Sequence, residues 1–256
     1  MTSYNVVQQD ALSYLASLSD QSIDLVCFDP PYESLERWRQ MGTTTRLTHS
    51  TQSSNDWFRT FPNTQMPSLL RECARVMRPN SHLYLQCDET TRDVVRPLFE
   101  PAGLRFHKSL VWSKLAIGMG YHWRASYEFV LFAEKGKRKL NNLGLPDLLR
   151  ARRLKGPTYY PTQKPAELLQ YLISNSSKPG EPILDPFCGS GTPGMVAVRM
   201  GRRFMGCDTN PTAVERTQQR LSRARTRYVA QKQHLKSLNV WDLGELEARS
   251  NRSANE

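Results

Sequence analysis

The sequence contains no long apolar run. Its longest uninterrupted apolar segments are short, such as residues 25–28 and 129–132, whereas a helix needs roughly 18–20 apolar residues to cross a bilayer. The first residues also lack the basic stretch followed by an apolar stretch that marks a secretory signal peptide. We therefore expect a soluble, cytoplasmic protein without a membrane partner.

Cysteines are few and are not arranged as disulfide pairs or metal ligands. The five cysteines are Cys27, Cys73, Cys87, Cys188 and Cys207. Their number is odd, no two form a CxxC pair, and three lie in apolar segments with the character of strands. We therefore predict buried free thiols in a reducing compartment, and no metal site.

Acidic residues are fewer than basic ones. The chain of 256 residues carries 24 Asp and Glu against 35 Lys and Arg, a formal net charge of +11. A protein this basic commonly has a polyanionic partner, most often nucleic acid. Part of the excess lies in segment 134–156, which holds eight basic residues and two acidic ones. That segment indicates either a nucleic-acid contact or a solvated loop kept soluble by its charge.

The chain also lacks internal repeats and any linker that would divide it in two. Apolar strands are predicted at residues 22–28, 82–86, 108–112, 127–133, 182–185 and 203–207. Helical patterns lie between several of these strands. This alternation predicts an α/β fold, a doubly wound sheet with its sites at the carboxyl ends of the strands. We expect one domain over residues 1–256, with a polar insertion at 33–65 and a polar tail at 229–256.

Three of the predicted strands end at an aspartate. These residues are Asp29, Asp185 and Asp208. Because the carboxyl ends of parallel strands share one edge of a sheet, we expect the three carboxylates to converge there. That edge is therefore the predicted location of the functional site.

A glycine-containing turn follows the strand at 182–185. Gly189 and Gly191 would let the backbone approach a ligand without Cβ clashes. The pattern is neither GxGxxG nor a P-loop, since no lysine follows. Asp208 comes 23 residues after Asp185, about the spacing at which a carboxylate meets a ribose hydroxyl. Together these features favour an adenosine-containing cofactor, although a tight structural turn and a helix-capping aspartate would produce the same residues.

The tetrapeptide Asp29-Pro30-Pro31-Tyr32 follows the most apolar predicted strand. An exocyclic amine on a nucleobase is a poor nucleophile, because its lone pair is delocalised into the ring. The carboxylate of Asp29 and the carbonyl of Pro30 could accept its two hydrogens and leave one face open for attack on a methyl group. Tyr32 could stack on an extruded base. The alternative is a plain turn that ends a strand.

Five motifs in this order resemble the β-class DNA amino-methyltransferases, a circularly permuted family. The matching segments are residues 29–32, 118–121 with Arg124 and Glu128, 162–165, 185–192 and 206–208. Gln9 and Asp10 also match the acidic position that contacts the adenine ring of the cofactor in that family. The resemblance covers about residues 8–227, apart from loops 33–65 and 137–158.

The resemblance implies a Rossmann-like, mostly parallel sheet of seven strands with helices on both faces, and S-adenosylmethionine as cofactor. The ribose would lie on Asp208 and the adenine near Asp10. The implied cofactor residues are Asp10, Thr162, Lys164, Asp185, Phe187, Cys188, Gly189, Ser190, Gly191, Thr192 and Asp208. Aspartate rather than serine at position 29 points to adenine N6 as the methylated atom. Many members dimerise, so we expect a homodimer.

The same resemblance implies double-stranded DNA as substrate. The expected DNA contacts are Tyr121, Arg124, Lys137, Arg138, Lys139, Arg152 and Arg153. Segment 134–160 is short for a target-recognition region, so loop 33–65 or a second subunit could read the sequence instead. Trp38, Trp57 and Phe61 could form a DNA-facing lid or anchor this loop to the core. The arginines at 216, 220, 223 and 227 fit a solvated helix face, with contact to the DNA backbone as the second interpretation.

Four alternatives remain at the level of the sequence. The first is methylation of cytosine N4, and the next two are methylation of RNA and of a protein glutamine. The fourth is a DNA-binding protein that keeps the fold without catalysis. The sequence does not decide between a partner restriction endonuclease and an orphan role.

Overall fold

The computed structural model describes residues 3–34, 60–118, 122–154 and 163–237. These residues contain one eight-stranded sheet. Its strands are β1 (Tyr4–Gln8), β2 (Ile23–Phe28), β3 (Met77–Cys87), β4 (Arg105–Ser113), β5 (Tyr127–Lys135), β6 (Leu148–Arg150), β7 (Pro182–Asp185) and β8 (Arg203–Asp208). The spatial order is β1-β8-β7-β2-β3-β5-β4-β6.

The sheet is mostly parallel, as predicted. Only β5 runs against its neighbours, pairing in antiparallel register with both β3 and β4. The expected number of seven strands was wrong, because the described residues form eight. The two strands that the sequence did not predict, β1 and β6, are the two outermost strands of the sheet. Both are short and lack the continuous apolar character of a strand buried on two faces.

Helices cover both faces of the sheet. They are α1 (Ala11–Ser17), α2 (Met66–Val76), α3 (Glu89–Val95), α4 (Ala166–Ser176), α5 (Thr192–Arg199) and α6 (Pro211–Ser237). Residues from α1, α2 and α3 share one apolar cluster with Val26 and Phe28. Residues from α4, α5 and α6 share the other cluster with Leu25 and Cys27. Because successive side chains of β2 point to opposite faces, this one strand contributes to both halves of the core.

The state of the cysteines and the character of the helices can be compared with the expectations from the sequence. All five cysteines are buried and form no disulfide, as the sequence predicted. Among the described residues, no helix is both long and apolar enough to cross a membrane.

Candidate active site

Four neighbouring strands, β1, β8, β7 and β2, bring the predicted aspartates to one edge of the sheet. By this edge we mean the end of the sheet at which these parallel strands have their carboxyl ends. All four are parallel, and the pairs Gln8 with Asp208 and Asp185 with Gly206 fix their register. Asp29 follows β2 directly, next to β7. The prediction that Asp29, Asp185 and Asp208 converge is therefore confirmed. The physical reason is the shared direction of parallel strands, whose carboxyl ends meet at one edge.

The carboxylate of Asp29 has two unequal oxygens. Oδ2 accepts a hydrogen bond from the ammonium of Lys164. Oδ1 is buried and accepts no hydrogen bond from any residue within the described ranges. Burial raises the pKa of Asp29, and the neighbouring Lys164 opposes this rise without cancelling it. A buried carboxylate oxygen without a partner is costly unless a ligand supplies a donor.

Lys164 also faces Glu128, the second residue of β5. Its Nζ lies 3.4 Å from Glu128 Oε2, and Lys114 Nζ lies 2.8 Å from Glu128 Oε1. Burial raises the pKa of Glu128, but Lys164 and Lys114 outweigh it and the net shift is downward. Four charged side chains thus form a chain of alternating sign at this edge: Asp29, Lys164, Glu128 and Lys114.

The last two residues of the tetrapeptide, Pro31 and Tyr32, are held by backbone contacts. The carbonyl of Pro31 accepts a hydrogen bond from the N–H of Phe61 at 2.6 Å, and Tyr32 forms a parallel bridge with Phe61. Pro30 is buried and Tyr32 is 7% exposed. The tetrapeptide is therefore fixed from both sides: by β2 before it and by Phe61 beside it.

The predicted glycine turn lies between β7 and α5. Gly189 and Gly191 both have positive φ angles, of 46° and 69°. The N–H of Gly189 donates to Asp208 Oδ2 at 2.9 Å, and the N–H of Asn210 donates to Asp208 Oδ1 at 2.9 Å. Asp208 therefore ties the turn to the start of α6. Each carboxylate oxygen has two lone pairs, so Asp208 can accept further hydrogen bonds from a ligand while it holds these two.

Asp185 and Phe187 shape the start of this turn. Asp185 is 2% exposed, and its Oδ1 accepts the N–H of Phe187 at 2.9 Å. Burial raises the pKa of Asp185 well above its usual value. The ring of Phe187 lies 5.8 Å from that of Phe28 and 5.1 Å from that of Phe61, measured between centroids.

Three further expected cofactor residues lie in the turn and at the start of α5. Cys188 is buried, and its N–H donates to the carbonyl of Cys207 at 2.9 Å. The hydroxyls of Ser190 and Thr192 lie 3.1 Å apart. The guanidinium of Arg220 donates to the carbonyl of Ser190. One member of the arginine series on α6 thus supports the turn, whereas the arginines at 223 and 227 are exposed as the solvated-face interpretation predicts.

Asp10 lies beside this group, at the end of β1. Its Oδ1 accepts the N–H of Ser13 at 3.0 Å and so caps α1, which lowers the pKa of Asp10. The neighbouring N–H of Gln9 donates to the carbonyl of Asp208 at 3.1 Å. The structure therefore brings Asp10 close to Asp208, in a capping role that the sequence did not predict.

The expected DNA contacts are divided between the two edges of the sheet. Arg152 and Arg153 follow β6, which is parallel to β4, and Arg124 lies between β4 and β5. These three residues are at the edge that carries Asp29. Arg124 and Arg152 are exposed, and the N–H of Arg153 donates to the carbonyl of Lys114 at 3.0 Å.

Lys137, Arg138 and Lys139 lie at the opposite edge. They follow the carboxyl end of β5, where Lys135 pairs with Ser81 near the start of the antiparallel β3. At about 3.4 Å per residue, the seven steps from Glu128 to Lys135 separate these edges by roughly 24 Å. Arg138 is also engaged in an ion pair with Glu181 at 2.9 Å. The structure does not bring these three residues to the aspartate edge.

Several expected residues lie outside the described ranges. These are Tyr121 and Thr162 among the site residues, and Trp38 and Trp57 in the polar insertion. Phe61, from the same insertion, is described. Its 9% exposure and its contact with Phe187 favour the anchoring interpretation over a DNA-facing one.

The sequence pattern did not assign Lys114 and Glu128 to the site. Both are polar residues at the ends of apolar strands, and Glu128 also belongs to one of the motifs that resemble the family, but neither signal assigned a role to them. An exposed apolar group was also missed: Leu115, Ile117, Trp123 and Tyr127 in and beside the connection from β4 to β5, with Trp123 fully exposed.

Comparison with known proteins agrees with this arrangement. The DNA methylase family model, which covers N6 and N4 methyltransferases, matches residues 23–150 and 142–219. Type II methyltransferase M2.DpnII of Streptococcus pneumoniae is 27% identical over 242 residues, 84% of this chain and 88% of that protein. The crystal structure of the M1.HpyAVI–SAM complex has a TM-score of 0.62 at 22% identity, covering 85% of this chain and 98% of that one. PvuII DNA methyltransferase, which is cytosine-N4-specific, has a TM-score of 0.64 at 15% identity, covering 90% and 94%.

The mostly parallel sheet with helices on both faces has the fold of the solved DNA methyltransferase structures. Since the matched residues extend from β2 into α6, the chain belongs to the DNA methylase family of the N6 and N4 type. The methyl donor of this family is S-adenosylmethionine. The residues present fit that donor, because Asp208 offers carboxylate oxygens to hydroxyls next to a turn whose glycines carry no side chain.

Proposed function

We propose that this protein transfers a methyl group from S-adenosylmethionine to the exocyclic N6 of an adenine extruded from double-stranded DNA. The observation that carries the proposal is the buried Oδ1 of Asp29, which no described residue supplies with a donor. This oxygen lies at the strand edge that also carries the glycine turn and Asp208. An amino group held there would satisfy the oxygen.

The catalytic residues in this proposal are Asp29, Pro30, Pro31 and Tyr32. When bound, S-adenosylmethionine supplies a methyl group on a positively charged sulfur, which leaves with the electron pair of the broken carbon–sulfur bond. Asp29 Oδ1 and the Pro30 carbonyl would accept the two amine hydrogens, so that the nitrogen lone pair is directed at the methyl carbon. The nitrogen becomes cationic as the new bond forms. Asp29 stabilises that charge, and one amine proton then leaves through the carboxylate to solvent.

The cofactor site in this proposal follows the turn after β7. Asp208 would bind the ribose, and Asp10 would lie near the adenine. Phe187 and residues 188–192 would form the remaining wall together with Asp185 and Thr162. The raised pKa of Asp208, caused first by burial, is consistent with a carboxylate that benefits from extra donors.

DNA would approach the edge of the sheet at which β6 ends. Arg124, Arg152 and Arg153 lie there, and Tyr121 belongs to the same connection as Arg124. The fully exposed Trp123 adds an aromatic surface beside these cations, a combination typical of nucleic-acid contacts. Lys137, Arg138 and Lys139 stand as DNA contacts in the sequence-based hypothesis only, and their position at the opposite edge argues against contact with the extruded base.

Adenine is preferred over cytosine because a carboxylate, rather than a serine hydroxyl, occupies position 29. The rival is cytosine N4, and the fold of a cytosine-N4-specific enzyme is similar. Mass spectrometry of nucleosides from DNA incubated with the enzyme separates the two. N6-methyladenine is the expected product, and N4-methylcytosine alone would overturn the choice of base.

The experiment that tests the proposal itself is the Asp29→Ala variant. Methyl transfer to DNA should fall by at least about a thousandfold, whereas the affinity for S-adenosylmethionine should change less than about threefold, since Asp29 lies outside the cofactor turn. Asp93→Ala is the control, because Asp93 is an exposed carboxylate paired only with its neighbour Arg92 among the described contacts. Loss of cofactor binding together with transfer would contradict the separate roles of the two halves. Wild-type protein that binds DNA but transfers no label would favour the non-catalytic alternative.

We further propose that the whole chain acts as one methyltransferase domain and as a homodimer in the cytoplasm. Light scattering of the purified protein tests the oligomeric state. Long-read sequencing of DNA from cells that express the gene would give the recognition sequence and show whether methylation matches the site of a restriction endonuclease.

A further inference from the structure

Lys164 lies between two carboxylates from different strands. Asp29 follows β2, Glu128 belongs to β5, and Lys164 precedes α4. The ammonium of Lys164 donates to Asp29 Oδ2 and lies 3.4 Å from Glu128 Oε2. Its side chain is 11% exposed, so both interactions take place largely out of water.

The second cation of the group holds Glu128 from the other side. Lys114 Nζ lies 2.8 Å from Glu128 Oε1, and both side chains are less than one-fifth exposed. Asp29, Lys164, Glu128 and Lys114 together carry two negative and two positive charges. A neutral group of this kind can be buried at a lower cost than any single charge within it.

The geometry of Lys164 determines which oxygen of Asp29 is available. Because Lys164 holds Oδ2, the carboxylate cannot rotate freely, and Oδ1 remains as the oxygen without a described donor. An ammonium has three donors, so Lys164 can hold Asp29 and Glu128 at the same time. Any movement of Lys164 toward Glu128 would weaken its hold on Asp29.

We propose that Lys164 is a positioning residue, which orients the Asp29 carboxylate and keeps it ionised, and that Glu128 with Lys114 sets the strength of this interaction. The inference rests on the proposed function, in which Asp29 binds the amino group of the target base. It differs from the cofactor-binding role that the family resemblance implies for Lys164. The two roles separate experimentally, because one acts on Asp29 and the other on the affinity for S-adenosylmethionine.

The charges around Asp29 determine in which direction each substitution should shift its pKa. Burial raises the pKa of Asp29; the positive charges of Lys164 and Lys114 lower it, and the negative charge of Glu128 raises it. The other ionisable groups nearby are Cys27, Tyr32, Cys87, Asp88 and Asp185. Burial raises the pKa of the two thiols and of the tyrosine, so these three are uncharged at neutral pH.

Two neutralising substitutions should therefore have opposite effects. Lys164→Gln removes the positive charge and should raise the pKa of Asp29, whereas Glu128→Gln removes the negative charge and should lower it. The first measurement is the carbon-13 NMR titration of the Asp29 carboxyl, assigned with Asp29→Asn, on protein without cofactor or DNA. Lys164→Arg should return the pKa toward the wild-type value, since it restores the charge.

The second measurement is the dependence of the methyl-transfer rate on pH. In Lys164→Gln the acid limb should move to higher pH and the maximal rate should fall by about 10-fold to 100-fold, with little change in the affinity for S-adenosylmethionine. In Glu128→Gln the acid limb should move to lower pH. Lys108→Gln is the control, because Lys108 forms an exposed ion pair with Asp147 far along β4 and should change neither measurement.

Each outcome has a distinct meaning. Shifts of the same sign in the two variants, or no shift in either, would overturn the positioning role. A large loss of cofactor affinity in Lys164→Gln with an unchanged pKa of Asp29 would also overturn it, in favour of cofactor binding. If the NMR shifts appear as expected but wild-type protein methylates no DNA, the proposed function fails and the positioning of Asp29 stands.

Discussion

The ring of Phe61 meets that of Phe187 edge-on, with centroids 5.1 Å apart. The backbone N–H of Phe61 donates to the carbonyl of Pro31 at 2.6 Å. One residue at the end of the polar insertion therefore contacts both the proposed catalytic turn and the proposed cofactor turn. This contact keeps the two parts of the site in a fixed relation.

Replacing Phe61 by alanine should disturb both stability and activity. Since the side chain is 9% exposed, Phe61→Ala should lower the free energy of unfolding by about 3 kcal/mol. It should also reduce methyl transfer, because the Pro31 carbonyl and the Phe187 ring would lose a common support. Phe61→Leu keeps most of the apolar volume and should lose about 1 kcal/mol. Urea unfolding and a transfer assay test both effects, and equal stability of the wild type and the alanine variant would contradict the anchoring role.

Gly191 should not tolerate a side chain. An added Cβ would lie 2.5 Å from Thr217 Cγ2 and 2.7 Å from Thr217 Oγ1, and the φ angle is +69°. Gly191→Ala should therefore combine about 1–2 kcal/mol of backbone strain with a steric clash, and lower the affinity for S-adenosylmethionine more than tenfold. Gly103→Ala is the matched control. Its φ is +80° with no atom within 4 Å of the added Cβ, so it should show the strain alone, with unchanged cofactor affinity measured by calorimetry.

Asp185 should reduce stability at neutral pH. Burial raises the pKa of Asp185 above the usual 3.8. The stabilisation that comes from its protonated form is therefore complete below pH 3.8 and is lost as the pH rises through the pKa of the folded state. Asp185→Asn can still accept the N–H of Phe187 but does not titrate. The variant should gain stability relative to wild type as the pH rises above the usual carboxyl pKa, by roughly 1.4 kcal/mol per unit of pKa shift. Urea unfolding at several pH values measures this difference.

Asp147 provides a control of opposite sign. Lys108 lowers the pKa of this exposed carboxyl, so its contribution to stability is present above the unfolded-state pKa and lost as the pH falls. Asp147→Asn should therefore lose stability relative to wild type at neutral pH. A gain in both variants would show that the effect is unrelated to the buried position of Asp185.

Basic residues at the two edges of the sheet should differ in their effect on DNA binding. Arg152→Ala should weaken binding several-fold for any DNA sequence and reduce the slope of log affinity against log salt by about one. The double variant Lys137→Ala with Lys139→Ala removes two exposed cations from the opposite edge and should leave transfer kinetics unchanged. Fluorescence anisotropy over a range of salt concentrations measures DNA binding by both variants, and a methyl-transfer assay measures the kinetics of the double variant. If the double variant weakened DNA binding more than Arg152→Ala does, the DNA would contact the edge opposite to Asp29, and our proposal for the DNA-binding surface would be wrong.

Much of the site could be predicted from local sequence. Asp29, Asp185 and Asp208 could be found because each ends a short apolar strand, and a strand with this pattern is recognisable without its neighbours. The outermost strands β1 and β6 could not be predicted in this way. A short outermost strand needs only partial apolar character, and it forms because it pairs with the strand beside it. Asp10 was expected at the cofactor, and its capping of α1 became visible only from the hydrogen bond to Ser13.

The sequence by itself determined the α/β class, the parallel strands and the two turns that carry the proposed chemistry, because these depend on apolar periodicity and on residues that follow one another in the chain. Only the tertiary structure decided which charges face each other. The antiparallel direction of β5 brings Glu128 to Lys164 and takes Lys137 to the far edge. Strand order and the reversed direction of β5 result from contacts between residues far apart in sequence, which no local pattern records.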